Sequence, residues 1–487
     1  MLQKYKVYKK NSPSKICIDL VKYIQKYVSK NKSIKKILSD INDFYKIPIK
    51  ILDQKTYQII FNDFNFKKNK FERYENFYLI IDILKYYLIV LINIFFHKKK
   101  KGKQKNYNLI CDNVFDQNDV DRYSSLIKIF KNVCLLGSFI NKKKIKSEEY
   151  FRYKILNIGN SDLPLKKKFF FFKLGFKILI FSIFDRTNYF RIFFLLVYDI
   201  LRSNHIFSNI KAKFFFTNKF YGTSPIFNFY FKKSGGLKSS CFQKNILAYS
   251  LSCFVFSDIL FTLGKGQGRI CHKLGGKIKK IIPVGSLFME NAWFNKKKDL
   301  KNVPNSNILI LGINTLKNSR HYVNNIYENS YYNLFLDWIN QLALDFPNLK
   351  IVYKHHNDYL EDPKERKKLS NSKMEILIKN KSINSTYAYA HKSELTISFV
   401  STMILEILGH GKKAFFIDPD LKGSQWFDDI KNIKEYRIGS YELLKKIVKN
   451  RSKLSKVNRN HKDFYCLESD RTSKKIANYL MQKASER

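Results

Sequence analysis

The strongest chemical signal in the sequence is a run in which two hydroxyl side chains separate a predicted strand from a predicted helix. The run is FVSTMILEILGHGKKAFFIDP, residues 399–419. Ser401 and Thr402 would open the helix, whose free N–H groups and positive dipole end favour a diphosphate. Glu406 lies four residues after Thr402 on the same helix face and could accept hydrogen bonds from ribose hydroxyls. An N-capping hydroxyl followed by an exposed glutamate fits the same pattern, so both interpretations stay open.

A second group of candidate residues is basic. The run LKIVYKHH (349–356) predicts a strand with Lys354 and His355 at its carboxyl end, where they could hold a phosphate or contact a nucleobase. Gly312 ends another predicted strand, 307–314, and is expected in the same donor-binding site. A basic surface turn is the alternative interpretation. Adjacent histidines also suit a metal, but no carboxylate or cysteine stands at ligand spacing, so we predict a metal-independent site without a cofactor.

Three further candidates precede these runs. The run GGLKSSCFQ (235–243) predicts a glycine turn and a strand that ends at Gln243, which would face a cleft. A local hydrogen bond at the strand end is the alternative role for this side chain. Asp112 and Asp116 follow the predicted strand 106–111 and are candidates for a catalytic base.

Two motifs look functional but stand in the wrong context. Asp418-Pro419-Asp420 resembles a DxD metal motif, yet it follows a late strand and precedes a turn, where Asp is a common turn former. The glycine-rich GKGQG (264–268) lacks the GK[ST] ending of a phosphate-binding loop. Neither motif predicts a kinase, an ATPase or a metal site.

The elements that would position these residues alternate between strands and helices after a helical beginning. This alternation predicts an α/β protein, because parallel strands need crossover helices. We expect two Rossmann-like domains that face each other across a cleft (GT-B-like), joined by a polar linker at 288–306 and preceded by a helical N-terminal extension. The predicted ranges are 1–105 for the extension, 106–287 for the acceptor domain, 306–460 for the nucleotide-donor domain and 461–487 for a C-terminal helix.

The order of the motifs carries a family resemblance. From about residue 214 to 425, a little under half of the chain resembles bacterial surface-carbohydrate and capsule polysaccharide biosynthesis proteins of the GT-B type. It also resembles their relatives, the CDP-glycerol glycerophosphotransferases. The matching pieces are FFFTN, GGLKSSCFQ, KIIPVGS, IVYKHH, the 399–419 run and QWF at 425–427.

The resemblance implies that the C-terminal half binds a nucleotide-activated donor through His355, Ser401, Thr402 and Glu406. The N-terminal half would hold a polysaccharide or lipid-linked acceptor, to which a sugar is transferred. Many relatives carry a histidine directly after the glutamine, whereas this sequence has Gln243-Lys244-Asn245. The catalytic base is therefore not identified by the resemblance. A CDP-glycerol-type glycerophosphotransferase and a non-catalytic binding protein on the same fold are the alternatives.

The charge balance bears on possible partners. The 487 residues include 90 Lys and Arg against 40 Asp and Glu, a formal charge of +50. A surface this basic attracts anions, although a bias toward AT-rich codons also explains the composition. Finger spacings, RNP-like strands and basic zipper regions are missing from the sequence, so nucleic acid is not an expected partner.

Two apolar runs, 77–96 and 169–198, predict helices that are buried or that rest on an anionic membrane surface. The first is long enough to span a bilayer but carries Asp82 and Lys85. A true span at 77–96 remains the alternative. The seven cysteines lack CxxC pairs and the N-terminus lacks a secretory apolar region, so we expect a cytoplasmic protein, peripheral on the inner face of the membrane.

Overall fold

The computed structural model describes thirteen strands and nineteen α-helices in most of the chain. The described residues are 13–67, 76–95, 104–114, 117–137, 150–152, 165–295, 300, 303–313, 322–356, 363–370, 373–377, 383–455 and 457–482.

The helices fall into a set before the second sheet and a set within and after it. The first set is α1 (Pro13–Lys30), α2 (Lys32–Tyr45), α3 (Ile49–Lys67), α4 (Asn76–Phe95), α5 (Gln117–Phe130), α6 (Leu165–Phe184), α7 (Tyr189–Asn209), α8 (Pro225–Lys233), α9 (Tyr249–Ser252), α10 (Ile270–Lys273) and α11 (Leu287–Met289). The second set is α12 (Tyr322–Asp345), α13 (Pro363–Ser370), α14 (Ile383–Lys392), α15 (Thr402–Gly409), α16 (Ser424–Phe427), α17 (Tyr441–Lys449), α18 (Arg459–Tyr465) and α19 (Thr472–Gln482).

The strands form two sheets, and every strand pair in both sheets is parallel. The first sheet contains β1 (Lys105–Asp112), β2 (Val133–Gly137), β3 (Tyr150–Arg152), β4 (Ile210–Thr217), β5 (Lys238–Phe242), β6 (Phe256–Thr262) and β7 (Lys277–Pro283). The second contains β8 (Ser306–Leu311), β9 (Ile351–Lys354), β10 (Glu375–Leu377), β11 (Ser393–Ser398), β12 (Ala414–Ile417) and β13 (Arg437–Ile438). The predicted α/β class with two Rossmann-like domains is confirmed.

The central strands are apolar on both faces because helices cover both sides of each sheet. Phe214, Phe215 and Phe216 are consecutive in β4 and all buried, and the ILIL and AFFI segments of β8 and β12 follow the same rule. Continuous apolar runs of this kind are typical of parallel strands. This composition explains why the strands appear in the sequence as continuous apolar runs rather than as alternating apolar and polar residues.

In each sheet the order of the strands reverses once, next to the strand that comes first in the sequence. The strand orders are β3-β2-β1-β4-β5-β6-β7 and β10-β9-β8-β11-β12-β13. The chain therefore moves outward from β1 or β8, then crosses to the other side with β4 or β11. Open α/β sheets bind ligands beyond the carboxyl ends of the strands at such a switch point. The fold thus predicts two crevices, one at β1/β4 and one at β8/β11.

The first four helices share a hydrophobic core with the first sheet rather than forming a separate unit. One continuous cluster joins Ile24 of α1 and Ile60 of α3 to Phe215 of β4 and Leu260 of β6. The packing therefore places these helices in the N-terminal half. The predicted boundary at residue 105 stays a prediction.

The two halves touch along the loops that leave the carboxyl ends of β6 and β7. Leu467 N donates to Leu263 O at 2.9 Å, and Ser286 N donates to the Ser469 hydroxyl at 2.8 Å. Gly264 lies so close to the C-terminal segment that a Cβ atom there would stand 2.3 Å from Phe464 O. The chain end also returns to the first half, where α19 packs against α5.

Gly264→Ala tests this close approach. The added methyl would force two backbones apart, which costs about 1–3 kcal/mol for an overpacked site. We expect a lower urea midpoint for Gly264→Ala. Gly222→Ala is the matched control, because its Cβ would meet only ordinary contacts, the nearest at 3.5 Å. Equal midpoints for both variants would contradict the interface described here.

Candidate functional site

The switch point of the second sheet aligns three strand ends in one row. Leu311 of β8 pairs with Lys354 of β9 on one side and with Ser398 of β11 on the other. Neighbouring strands lie about 4.8 Å apart, so Lys354 and Ser398 are separated by roughly 10 Å. The sheet thus brings the predicted YKHH and Ser401–Thr402 motifs to one edge.

Gly312 connects the end of β8 to the end of β9 by a backbone hydrogen bond. Its N–H donates to Lys354 O at 2.9 Å. A Cβ atom on residue 312 would stand 2.5 Å from the Tyr353 hydroxyl oxygen. Glycine is therefore needed here to leave room for the tyrosine. A direct contact of Gly312 with a donor stays a prediction.

His355 lies in a buried polar cluster behind this edge. The Glu365 Oε1 atom accepts hydrogen bonds from the hydroxyls of Tyr332 at 2.9 Å and Tyr353 at 2.8 Å. The same oxygen stands 3.4 Å from His355 Nδ1, and both side chains are almost fully buried. The carboxylate faces one ring nitrogen and so restricts the orientation of the imidazole.

Glu365 was not identified from the sequence. It stands in PKERKKLS, the most charged of the helices, a composition that favours an exposed helix. Only its place on the first turn of α13, packed against α12, buries it. No local sequence signal distinguishes it from its exposed neighbours Arg366 and Lys367.

Lys354 is 2% exposed, which is unusual for a lysine. Burial lowers the pKa of its ammonium group to about 8, because desolvation disfavours the charged form. An anionic ligand beside it would stabilise the charged form further. The side chain is therefore suited to a phosphate that arrives at the end of β9.

Ser401 and Thr402 start α15 as predicted. The Ser401 hydroxyl accepts a hydrogen bond from Met403 N at 3.3 Å, the N-cap arrangement that was one of the two interpretations. Both residues are half-buried. Their position at the free N–H groups of an eight-residue helix is compatible with an anion, and that role stays a prediction.

Glu406 is buried between the two halves of the protein. Its Oε1 atom accepts a hydrogen bond from the Ser286 hydroxyl, and its Oε2 atom accepts one from the Tyr387 hydroxyl at 2.8 Å. Burial raises the pKa of this carboxyl to about 7, although the two hydroxyls oppose the rise. A ribose would have to displace these partners. The predicted ribose contact therefore requires the Ser286 and Tyr387 side chains to move away from Glu406. The contact stays a prediction.

The switch point of the first sheet carries its own polar residues. Asp112 of β1 pairs in register with Thr217 of β4, and Asp112 Oδ2 stands 3.8 Å from an Arg202 guanidinium nitrogen. Asn113 donates to the Thr217 hydroxyl at 2.9 Å. Asp112 is thus placed where a ligand is expected in this half. The other candidate base, Asp116, lies outside the described residues.

Asn218 is a candidate that sequence reasoning missed. It follows β4 directly and is 1% exposed, yet neither atom of its side-chain amide has a hydrogen-bond partner among the described residues. Buried amides are normally paired, so an unpaired one at a switch point suggests a ligand or water site. The one sequence signal was the motif FFFTN, in which Thr217 ends the strand and Asn218 follows it.

Gln243 has the local role that was its alternative interpretation. The side chain is 1% exposed, and its Oε1 atom accepts a hydrogen bond from Leu263 N at 3.0 Å. Its backbone N–H donates to Phe261 O at 2.9 Å. Gln243 therefore fixes the end of β6 and the start of the loop that touches the second half. A contact with a ligand in the cleft stays a prediction.

The Asp418-Pro419-Asp420 motif and the glycine-rich loop 264–268 both form hydrogen bonds within the protein. Asp418 is fully buried and accepts hydrogen bonds from Gly423 N at 2.8 Å and Arg437 Nε at 2.6 Å. Gln267, in the glycine-rich loop, donates from Nε2 to Phe464 O at 2.6 Å. Within the described ranges, no group of three or more His, Cys, Asp or Glu side chains could hold a metal ion.

Glu406→Gln tests the buried carboxyl. The unfolded chain releases this proton near pH 4.5 and the folded protein releases it near pH 7. The native state therefore loses roughly 3 kcal/mol of stability as the pH rises through that window. Glu406→Gln lacks the titration, so we expect the variant to gain stability relative to the wild type between pH 5 and pH 8, as measured by urea unfolding.

The exposed Glu394 supplies a matched control for this experiment. Glu394→Gln should change the free energy of unfolding by a small amount that is the same at pH 5 and at pH 8. A difference between wild type and Glu406→Gln that stays constant with pH would show that Glu406 is not the titrating group.

Comparisons with known proteins gave matches among solved structures but none by sequence. No family model matches the sequence, and no curated protein matches it. Among solved structures, the Wall Teichoic Acid Polymerase TagF is 12% identical, with a TM-score of 0.47 over 84% of this chain and 97% of that chain. A UDP-N-acetylglucosamine 2-epimerase from Rickettsia bellii is 14% identical, with a TM-score of 0.43 over 78% of this chain and 98% of that chain.

A third similar structure is the UDP-GlcNAc 2-epimerase from Methanocaldococcus jannaschii, at 9% identity and a TM-score of 0.44, which covers 77% of this chain and 99% of that chain. The TagF structure was solved with CDPG soaked in. At this level of similarity the match concerns the fold alone, which the two strand orders establish independently.

Proposed function

We propose that this protein transfers a sugar from a nucleotide-activated donor to a growing surface polysaccharide or a lipid-linked acceptor. The observation that carries the proposal is the row of strand ends in the second sheet. It sets a buried lysine, a histidine with a carboxylate partner and the N-terminus of α15 around one switch point. These groups suit a nucleotide diphosphate better than they suit a neutral ligand.

The donor half of the reaction needs a stabilised leaving group. In sugar transfer, the bond between the sugar carbon and the diphosphate oxygen breaks, and the nucleoside diphosphate leaves with the electron pair. The N–H groups of α15 and the ammonium of Lys354 would stabilise that negative charge. His355 Nε2 would donate a hydrogen bond to the departing phosphate while Glu365 faces Nδ1.

The acceptor half of the reaction needs a base. The acceptor hydroxyl attacks the sugar carbon, and its proton has to move to a nearby group. Asp112, at the switch point of the first sheet, is a candidate within the described residues, and the unpaired amide of Asn218 beside it could bind an acceptor hydroxyl. This assignment extends the expectation that the acceptor lies in the N-terminal half.

The runner-up is a CDP-glycerol-type glycerophosphotransferase, which the sequence resemblance also suggested. There the acceptor hydroxyl attacks the phosphorus that carries the glycerol, so the leaving group is a nucleoside monophosphate. The nucleotide product therefore separates the two reactions: a diphosphate for sugar transfer and CMP for glycerophosphate transfer. A protein that binds nucleotide without releasing either product would be the non-catalytic alternative.

A reducing, cytoplasmic setting is part of the proposal. The seven cysteines, all within the described residues, form no disulfide and six of them are buried, which suits a compartment that keeps thiols reduced. Nucleotide-activated donors are made in the same compartment.

Binding of the donor can be measured by thermal stabilisation. A ligand present at about 100 times its dissociation constant should add about 2.7 kcal/mol to the unfolding free energy. We expect one nucleotide or activated donor in a panel of UDP-sugars and CDP-glycerol to raise the melting temperature, and His355→Ala to reduce both this shift and turnover. His272→Ala, an exposed histidine of the first half, is the control. A fully active His355→Ala would remove His355 from the site.

Metal independence is a separate expectation of the proposal. Helix N–H groups and Lys354 can stabilise a leaving phosphate without a divalent ion. Transfer should therefore persist after EDTA treatment, when the product is measured directly. Loss of transfer on chelation, with recovery on addition of Mg²⁺ or Mn²⁺, would contradict this part of the mechanism.

A further inference from the structure

Exposed apolar side chains are concentrated on two helices of the N-terminal half. The described residues include sixteen exposed large hydrophobic residues, and ten of these lie on α4 and α6. Scattered single cases are normal on a soluble surface, whereas a contiguous patch marks an interaction site. The ten are Phe77, Ile80, Leu84, Leu88 and Phe95 on α4, and Phe169, Phe176, Ile180, Ile183 and Phe184 on α6.

On α4 the exposed residues form one stripe, because they recur at intervals of three and four residues. The opposite side of the helix is buried and polar groups fix it in place. Asp82 stands 3.2 Å from an Arg191 guanidinium nitrogen, and Arg191 Nε stands 3.0 Å from Asp63. Breaking a buried pair of this kind is strongly destabilising. The helix is therefore attached to the protein along its inner side.

This attachment bears on whether α4 could cross a bilayer. Residues 77–95 are long and apolar enough to do so, and within the described part of the chain they are the one such helix. However, 44% of that apolar window is buried inside the protein. A crossing would have to expose Asp82 and Arg191 to lipid or carry them away from each other. A helix that lies on the membrane keeps both.

The stripe on α6 lies beside the stripe on α4. The Tyr87 ring contacts Phe172 and Phe176, at centroid distances of 5.4 and 6.1 Å. Gly175 permits this approach, since a Cβ atom there would stand 2.6 Å from the Tyr87 hydroxyl oxygen. The two helices thus present a joint surface, which we call the apolar face: the ten residues named above.

Lysines occur on the two helices of the apolar face and next to them in the sequence. Lys85 and Lys173 are exposed on the two helices themselves. In the sequence, Lys98–Lys101 follow α4, and Lys166–Lys168 stand in the first turn of α6. Of the described carboxylates closest in sequence to the stripes, Asp82 is buried and Asp185, directly after Phe184, is exposed. An apolar stripe flanked by lysines is the composition of helices that lie in the headgroup region of anionic membranes.

We infer that the apolar face attaches this protein to the surface of an anionic lipid bilayer, with α4 and α6 lying in the headgroup region. Two contributions act together: burial of the aromatic and aliphatic side chains, and attraction between lysines and lipid phosphates. A second copy of the chain fits the face less well, because pairing the face with itself would bring the lysines of both copies together. The inference does not depend on the transferase proposal, since lipid binding is measured without donor or acceptor.

Vesicle flotation with the full chain tests the inference. Wild type should float with vesicles of phosphatidylcholine and phosphatidylglycerol, and much less with phosphatidylcholine alone. Raising the salt to roughly 1 M should weaken binding, since the Debye length then falls to about 3 Å. The double variant Leu84→Glu/Ile180→Glu should bind at least about tenfold more weakly, because two side chains on the face no longer favour burial.

Leu344→Glu/Leu443→Glu is the matched control, with two exposed leucines far from the face in sequence. It should float like the wild type, and both double variants should keep the wild-type melting temperature because all four positions are exposed. Equal flotation of the two double variants would overturn the inference. So would failure to float with any vesicle, resistance to alkaline carbonate, which marks a true span, or a dimer that Leu84→Glu/Ile180→Glu separates without any lipid binding.

Discussion

Parallel strand pairing is the constraint on which the rest of this structure depends. Because all strands of a sheet point the same way, every carboxyl end lies at one edge, and residues far apart in sequence meet there. Lys354, Leu311 and Ser398 form one row in the second sheet, and Asp112 meets Thr217 in the first. Each row stands where its sheet changes direction. The candidate donor and acceptor sites are consequences of this geometry before any side-chain chemistry is considered.

Two buried carboxylates and one half-buried carboxylate form hydrogen bonds between the halves. Glu406 bonds to Ser286, Glu290 bonds to Ser473 N and Oγ at 2.8 and 2.6 Å, and Asp429 accepts from Gly268 N at 2.8 Å. Burial raises the pKa of all three carboxyls. Unlike apolar packing, these hydrogen bonds are directional, so they fix the orientation of one half relative to the other. Any opening of the cleft has to replace them with water or with a ligand.

The sequence was sufficient for the fold and for part of the site. Apolar runs bounded by turns predicted strands at 106–111, 307–314 and 349–356, and strands lie at 105–112, 306–311 and 351–354. Long apolar runs are strong local signals, and the alternation with helices decides the class. The same reasoning placed Ser401 at the start of a helix, because a hydroxyl N-cap is a local signal as well.

What the sequence did not reveal depends on contacts between distant segments. Glu365 is buried by two tyrosines from other elements, although its own helix is highly charged. Glu406 was expected either to contact a ligand or to be exposed. It is buried against Ser286, which lies in the other half, so the exposed alternative is wrong and the ligand contact stays a prediction. Asn218 has no local feature beyond the end of a strand. In each case tertiary packing decides the environment, and no spacing rule within one segment contains that information.

The central claim is that the nucleotide binds at the β8/β11 switch point of the second sheet. A crystal structure of the protein with the nucleotide or activated donor that gives the largest thermal shift tests it most directly. The account predicts diphosphate oxygens within about 3 Å of N–H groups at the start of α15, with the Lys354 ammonium and His355 Nε2 at the same ligand. A nucleotide bound at the β1/β4 switch point, or away from both sheet edges, would contradict it.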